Sequence, residues 1–502
     1  MNYSVRQLIL PLDCGVLLEA NDPIHSFCEI LEGVNLKAYL KPDGKGRHDY
    51  EDLTLLKIVL FGYMNQIMTL RTIAAACRTD IRFMWIAQGI RPSHMSFQRL
   101  IKERLKGQIE AIFLDINRVL IQKEAIQTDV LYIDGTKFEA NATKNSFVWK
   151  KAVLKFREKL YLKITKVYEA HGLETKKSYH SDDLKPLVEA YLNDIILTKL
   201  IFVHGKGQSK PQLQRQYEEI KAYYEKLVEY ERHLAICQNR NSYAKTDHDA
   251  TFMHMKEDYY SRTGIFKPGY NVQLGVSDEY ILMAKIYPNP TDTLTFIPFL
   301  EDYNAAYGFY PKTPVADAGY GSYDNYIYCV AHHMELYQKY NYYEAEKHGK
   351  KDTLLYRSKA MRQADGSYQC PQGKKFNFER FDLKTEGVYP RLEHHYRCED
   401  CTNCPVANHC KKGEGSRTIT VNPILFELQD CAKENLDSPR GIQLRMNRSN
   451  QSESAFGIIK YNWRKNRFMR RGNENVENEL FLLAIGFNLM KFHQKKLRKK
   501  LN

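Results

Sequence analysis

The sequence predicts a multidomain chain of the α+β or α/β class. An all-helical N-terminal domain leads into a mixed-sheet core, and that core is interrupted by a helical hairpin insertion and a Cys-rich insertion. Three observations carry this prediction. Apolar residues recur three and four apart up to about Ile126. Strand-like runs begin at Val130 to Phe138 and resume at Tyr270 to Leu274 and Tyr280 to Ile286, separated by a stretch dense in Lys, Glu and Tyr. Farther on, Cys398, Cys401, Cys404 and Cys410 crowd together, with Cys370 upstream.

The first domain, 1–126, has helical periodicity through Leu53 to Met68 and again through Phe97 to Leu114. Its Arg71, Arg78, Arg91, His94, Gln98 and Arg99 are either ordinary surface charge on a helical bundle or a face that reads nucleic acid. The core comprises 127–341 and 434–493. Within it, about 145–241 forms the helical insertion, where Leu213, Ile220, Leu227 and Leu234 repeat at heptad spacing with Tyr217 and Tyr224 between them. An antiparallel hairpin turning near Gly205 and Gly207 fits this pattern, and a coiled-coil dimer seam is the competing reading. After the second strand pair a helix starts near Thr291, and Asp292 sits where an N-terminal cap would, in preference to a direct catalytic role. Glu139 and Asn141, alternating with Lys137 along the first strand, either support a site from behind or line a solvated face.

The segment 342–433 is the Cys-rich insertion. Cys398-x2-Cys401-x2-Cys404-x5-Cys410, with Cys370 as a fifth thiol, suits tetrahedral structural Zn²⁺ stapling a poorly cored subdomain. An iron-sulfur cluster and a metal-free cluster are the alternatives. Cys14, Cys28, Cys77, Cys237, Cys329 and Cys431 stand apart and read as inert thiols. The sequence closes on a basic tail, 494–502.

Charge points to a polyanionic partner. The chain has 74 Lys+Arg against 60 Asp+Glu, a formal charge of +14, and the excess concentrates at Arg464, Lys465, Arg467, Arg470 and Arg471. No run is apolar for the eighteen or so residues a membrane span needs. Asp13, Cys14 and Glu19 interrupt any signal-peptide core, so the expected location is the reducing cytoplasm, associated with the nucleoid.

Three acidic residues carry the chemistry. Asp134 lies in LYIDGTKFEANAT, Asp317 in PVADAGYGSYDN, and Glu453 opens a helical stretch with Phe456, Gly457 and Lys460 on one face. Each has a bland counterpart. Asp134-Gly135 is also a hairpin-turn signal, Gly319 and Gly321 form a weak phosphate-loop pattern, and Glu453 fits a first-turn helix glutamate. Together, two strand-borne aspartates and a helix-borne glutamate form a hard-oxygen site for two Mg²⁺ ions, with Mn²⁺ as a substitute, suited to phosphodiester chemistry.

The surrounding phrases extend the pattern. GRHDYEDLTLLKIVLFGYMNQIMTLRTIAAACRTDIRFMWIAQG, YIDGTKFEANA, TDHDATFMHMKEDYYSRTGIFKPGYNVQLGV, ADAGYGSYDN and SESAFGIIKYNWRKNRFMRRGNENVENELFLLAIGFNLMK together resemble the DDE transposases of bacterial insertion sequences. The resemblance implies a ribonuclease H-like core with Asp134, Asp317 and Glu453 at its three acidic positions, and a helical N-terminal domain that binds the element's ends. Such enzymes often carry Tyr-x2-Arg-x3-Glu-x6-Lys. Lys460 sits correctly, but Met446 and Ser449 occupy the Tyr and Arg positions, and Arg445 and Arg448 are one residue out of register. The expected activity is cleavage at the element ends by water, followed by attack of the freed 3′-hydroxyl on target DNA. Lys460, Arg448, Arg445, Arg464, Arg467 and Arg470 are the candidate DNA contacts. The partners are double-stranded DNA, both terminal inverted repeats and target, and a second copy of the chain. A hydrolytic nuclease with the same core and a domesticated DNA-binding descendant are the alternatives.

Overall fold

The computed structural model describes residues 18–40, 50–205, 208–255, 265–348, 355–411 and 413–501. Asp13, Cys14 and Gly207 lie outside these residues, as do 46–49 and 256–264 of the phrases above.

The regular structure among the described residues of the N-terminal region is helical, with α-helices Pro23–Leu31, Asp52–Met64, Leu70–Thr79, Ile81–Ile86, His94–Arg99 and Ile109–Glu124. Local chemistry sets several of the starts. Asp22 caps the first helix by accepting from the Ile24 amide at 2.9 Å, and Thr69 and Asp80 cap the third and fourth. Helix Asp52–Met64 is apolar on nearly every side and is buried accordingly, from Leu55 through Met64. One of its coverings comes from the far end of the sequence, the long helix Asn473–Leu501. Gly486 lets the two backbones meet, since a Cβ there would come within 2.6 Å of the Tyr63 carbonyl group. The residues expected as a basic tail continue this helix, and two of their charges are paired: Lys496 with Glu29 at 2.5 Å and Lys499 with Glu124 at 3.0 Å.

A six-stranded mixed sheet follows. Strand β1, Val130–Glu139, is central. After the ribbon β2, Phe147–Trp149, with β3, Ser242–Ala244, come β4, Thr251–His254; β5, Phe266–Ser277; β6, Tyr280–Tyr287; β7, Thr313–Ala316; and β8, Tyr337–Gln338. The order is β4-β5-β1-β7-β8, with β6 also paired to β5. β1 runs antiparallel to β5 and parallel to β7, in a register from Val130 opposite Thr313 to Tyr132 opposite Val315. The β5-β6 hairpin turns through Asp278 and Glu279, both at positive φ, the backbone a two-residue hairpin needs to match strand twist. One hydrophobic core joins this sheet, the N-terminal helices and Asn473–Leu501. At their junction the buried Asn488 and Asn117 amides bond each other and the β6 backbone.

The helical excursion differs from a two-helix hairpin. It comprises three helices, Lys150–Ala170, Ser181–Leu197 and Gln212–Cys237, because Gly172 at positive φ ends the first well before the break near Gly205. The heptad face turns inward, with Leu227 packed among Leu160, Ile164 and Leu184 of the other two helices and Tyr217 and Ile220 buried. The apolar repeat is therefore used within the chain rather than as a dimer seam. In the Cys-rich region β9, Phe376–Lys384; β10, Arg391–Cys398; and β11, Thr418–Val421 form a small antiparallel sheet. Its core is little more than Met361, Tyr368, Phe376, Ile419, Val421 and Phe426.

Candidate active site

The parallel register of β1 and β7 decides where the first two acids stand. Pairing runs to Tyr132 opposite Val315, and Asp134 and Asp317 each follow two residues later, so the neighbouring strands deliver their carboxylates to the same end of the sheet. Asp134 is within the strand, opposite Leu274 of β5, so the hairpin-turn reading fails at this position. The Asp317 carboxylate accepts from the Gly319 amide at 2.8 Å. Gly321 serves packing rather than a phosphate cradle, because a Cβ there would lie 2.1 Å from the Lys339 carbonyl oxygen.

A third aspartate joins them. Asp292 does not cap its helix; its Oδ1 accepts from Asn271 Nδ2 and Gln273 Nε2, each at 2.9 Å. The expected cap is displaced because Asn271 and Gln273, alternate residues of β5, turn two buried amides toward the carboxylate. Gly135 leaves the space for this meeting, since a Cβ would lie 2.5 Å from Asp292 Oδ1 and 2.9 Å from the Tyr320 hydroxyl. Burial first, and then the carboxylates of Asp292, Asp134 and Asp317, hold the Tyr320 phenol well above its ordinary pKa. It therefore stays protonated and donates to Gln273 Oε1. Three aspartates thus converge electrostatically on one buried phenol. The sequence signal for this cluster was the pair of amides at alternate positions in a strand buried on both faces.

Glu453 arrives from a helix. That helix starts at Pro439 rather than near the glutamate, continues through wider turns at Ser449–Glu453 and Ile458–Asn462, and ends where Arg464 takes positive φ. Glu453 is therefore internal, and the first-turn reading fails. Glu453, Phe456, Gly457 and Lys460 share one cleft with Asp134, Thr136, Lys137 and Glu139, as the common helical face requires. Arg448 bridges the acids: its Nη2 donates to Glu453 Oε1 at 2.6 Å and its Nη1 lies 3.7 Å from Asp134 Oδ1. Ser449 donates to Glu453 Oε2 at 2.9 Å. The residue occupying the family's arginine position thus holds the glutamate, and the guanidinium comes from one residue earlier.

The other basic residues separate by role. Lys460 Nζ donates to Thr136 Oγ1 at 2.6 Å and the Lys137 carbonyl at 2.9 Å, and lies over the Phe138 ring, so it ties the glutamate helix to β1. Arg445 stacks on Tyr343. Arg467 donates to the Ala140 carbonyl at 3.2 Å and lies near Glu139, which itself pairs with Lys267. Lys465, grouped with the phosphate-facing charges, is instead buried against Glu479 at 2.5 Å. Arg464 is exposed, and Arg470 is half-buried in a groove beside the N-terminal helices.

Cys370, Cys398, Cys401, Cys404 and Cys410 line a single pocket. The Lys374 amide donates to Cys370 Sγ at 3.3 Å, the Arg417 amide to Cys401 Sγ at 3.4 Å, and the Arg417 guanidinium to Cys410 Sγ at 2.8 Å. Burial, followed by a hydrogen bond with Cys401, pushes the Cys398 thiol up to about 12. Among the described residues, no three His, Cys, Asp or Glu side chains stand close enough to hold a metal ion, either here or at the acids. At the acids the donor set is the hard-oxygen type Mg²⁺ takes, and Arg448 fills the gap between Asp134 and Glu453.

The family model described as Transposase DDE domain matches residues 369–493, which include Glu453, Lys460 and all five clustered cysteines, and the match runs unbroken across residue 433. The model described as Transposase domain (DUF772) matches residues 15–103 of the helical N-terminal region. Asp134 and Asp317 fall outside both. No curated protein matches the chain. Among the described residues no helix is long and apolar enough to cross a membrane.

Proposed function

Since the chain is a DDE transposase of the bacterial insertion-sequence kind, an enzyme of DNA cleavage and strand transfer, we propose that Asp134, Asp317 and Glu453 are its catalytic acids. What supports this reading is that two of these aspartates leave adjacent parallel strands at one sheet end and that Arg448 joins the glutamate to the first of them. The order of β5, β1 and β7 about them supports a ribonuclease H-like core.

Enzymes of this family use divalent metal ions, which supply charge neutralisation and an activated oxygen at the scissile phosphate. In this chain Asp134, Asp317 and Glu453 would hold them, with Mg²⁺ as the native ion. The protein's own part is orientation. Lys460 fixes the glutamate helix against β1, Ser449 sets the Glu453 rotamer, and Tyr320 with Gln273 and Asn271 holds Asp292 against Gly135, next to Asp134. Arg448, held between Asp134 and Glu453, is a guanidinium that would also suit a DNA phosphate at this site. The site then serves two nucleophiles in turn, water at the element end and the freed 3′-hydroxyl at the target. No side chain becomes attached to DNA.

In this reading 1–126 contacts the element end, 127–341 with 434–493 forms the catalytic core, and 342–433 is a subdomain stapled by Zn²⁺ through four of the five clustered thiols. The amide-to-sulfur hydrogen bonds at Cys370 and Cys401 support the zinc assignment. Two copies of the chain pair the two ends. The test is the isosteric amide at each acid: Asp134→Asn, Asp317→Asn and Glu453→Gln each abolish Mg²⁺-dependent cutting of end DNA while retaining binding. Near-normal cutting by any one removes that residue from the site. A strand-transfer assay on the wild type separates transposition from hydrolysis alone.

A further inference from the structure

The two aspartates proposed as catalytic are held unequally. Asp134 lies inside β1, where it is paired with Leu274 of β5. Asp317 stands one residue beyond Ala316, at which β7 and its pairing with β8 both end. A strand therefore fixes the backbone of the first acid, and a loop carries the second. In that loop the Asp317 carboxylate accepts from the Gly319 amide at 2.8 Å, and the Tyr320 amide donates to the Asp317 carbonyl at 3.2 Å. The direction of the carboxylate thus depends on where the backbone at Gly319 is held.

The dipeptide Asp292-Thr293 reaches both acids. A Cβ at Gly135, the residue after Asp134, would lie 2.5 Å from Asp292 Oδ1, and one at Gly319 would lie 3.7 Å from Asp292 Oδ2 and 3.0 Å from Asp317 Oδ1. The Asp292 side chain therefore stands between the two acid-bearing segments. Thr293 fastens the second of them, because its hydroxyl donates to the Gly319 carbonyl at 2.6 Å. Asn325, buried in the helix Tyr323–Ala331, closes the arrangement: its Nδ2 donates to the Thr293 carbonyl at 3.1 Å and to the Tyr320 carbonyl at 2.7 Å. These bonds act on the stretch of backbone whose amide holds the Asp317 carboxylate.

We propose that Thr293 is a positioning residue for Asp317, setting where that carboxylate stands relative to Asp134 and so the affinity of the site for its divalent ion. The inference deepens the reading of these aspartates as metal-holding acids and rests on it. Mg²⁺ demands near-ideal octahedral geometry, which leaves little tolerance for a misplaced carboxylate. A loop loosened at Gly319 must be ordered as the ion binds, and that ordering is subtracted from the binding free energy. Thr293 supplies the order in advance, through the backbone and without touching the ion.

The test uses the full chain and Mn²⁺ as the probe, with free Mn²⁺ counted by electron paramagnetic resonance in the absence of DNA. Thr293→Val removes the hydroxyl and keeps the shape of the side chain. It should raise the Mn²⁺ dissociation constant roughly threefold to tenfold, the worth of one hydrogen bond. Thr293→Ser restores the donor and should bind Mn²⁺ within about twofold of wild type. Melting temperature is read on the same samples. A valine variant with wild-type Mn²⁺ affinity, whether or not its melting temperature falls, overturns the proposal, and so does a serine variant as weak as the valine one. Asp317→Asn separates this outcome from failure of the underlying assignment. If that variant loses Mn²⁺ while Thr293→Val does not, the positioning role falls and the acid stands. If Asp317→Asn keeps both Mn²⁺ binding and cutting of end DNA, the assignment of Asp317 falls and the positioning role with it.

Discussion

Replacing Glu479 with Gln removes the counter-ion of a buried lysine without changing shape. Glu479 is fully buried and Lys465 nearly so, their charged atoms lie 2.5 Å apart, and the same carboxylate accepts from the Met469 and Arg470 amides at 3.0–3.1 Å. A glutamine keeps one acceptor oxygen and turns an NH2 group toward a donor. Breaking one half of a buried pair in this way destabilises by about 3–5 kcal/mol. The effect should be local, because the carboxylate pins residues 465–470, which connect the catalytic cleft to the groove beside the N-terminal helices. Hydrogen exchange at the Met469 and Arg470 amides is the direct assay. The expected loss corresponds to exchange faster by roughly 150-fold to 4,000-fold, at a factor of ten for each 1.4 kcal/mol. The double change Lys465→Met with Glu479→Leu should restore most of the protection, since a well-packed apolar pair replaces a buried ion pair without penalty. Exchange within tenfold of wild type in Glu479→Gln would refute the reasoning and mean that water or another group solvates Lys465.

Three further expectations follow from the same geometry. Asp292→Asn should lower the rate of end cutting by at least tenfold with little change in melting temperature; the capping alternative predicts the reverse, a loss of about 1 kcal/mol of stability with cutting intact. Lys460→Ala leaves Thr136 and the Lys137 carbonyl without their donor and should cost about 1–3 kcal/mol, read by thermal unfolding, whereas a lysine serving DNA alone would leave stability unchanged. Purified protein should carry about one zinc per chain, and Cys401→Ser should lose it and become protease-sensitive between residues 342 and 433; full zinc content in that variant would exclude Cys401 as a ligand.

The elements governed by local rules were legible from sequence. The strand runs at Val130, Tyr270 and Tyr280 and the helical period near Leu53 reflect side-chain alternation and burial, which a single chain displays directly. The position of Glu453 within its helix was not legible, because Pro439 starts that helix upstream, where the arginine-rich composition masks its apolar face. Asp292 was misread for a related reason. Capping is a local rule and the sequence satisfied it, but two amides on β5 competed for the same carboxylate through tertiary contact. Lys465 shows the limit of reading charge as surface, since its partner lies fourteen residues on, within the helix Asn473–Leu501. The heptad in Gln212–Cys237 gave a correct apolar face and left its covering open, because helices of the same chain and of a second chain satisfy it equally well.

The close contact of Gly486 with Tyr63 bears on how the protein is made. The helix that covers Asp52–Met64 is synthesised about 400 residues after the surface it protects. At about 5–20 residues per second, the apolar N-terminal helices wait about 20–80 s for that partner. Through that interval they carry a greasy face that the finished enzyme hides, so chaperone supply during translation, rather than the stability of the completed fold, should limit how much active transposase a cell accumulates.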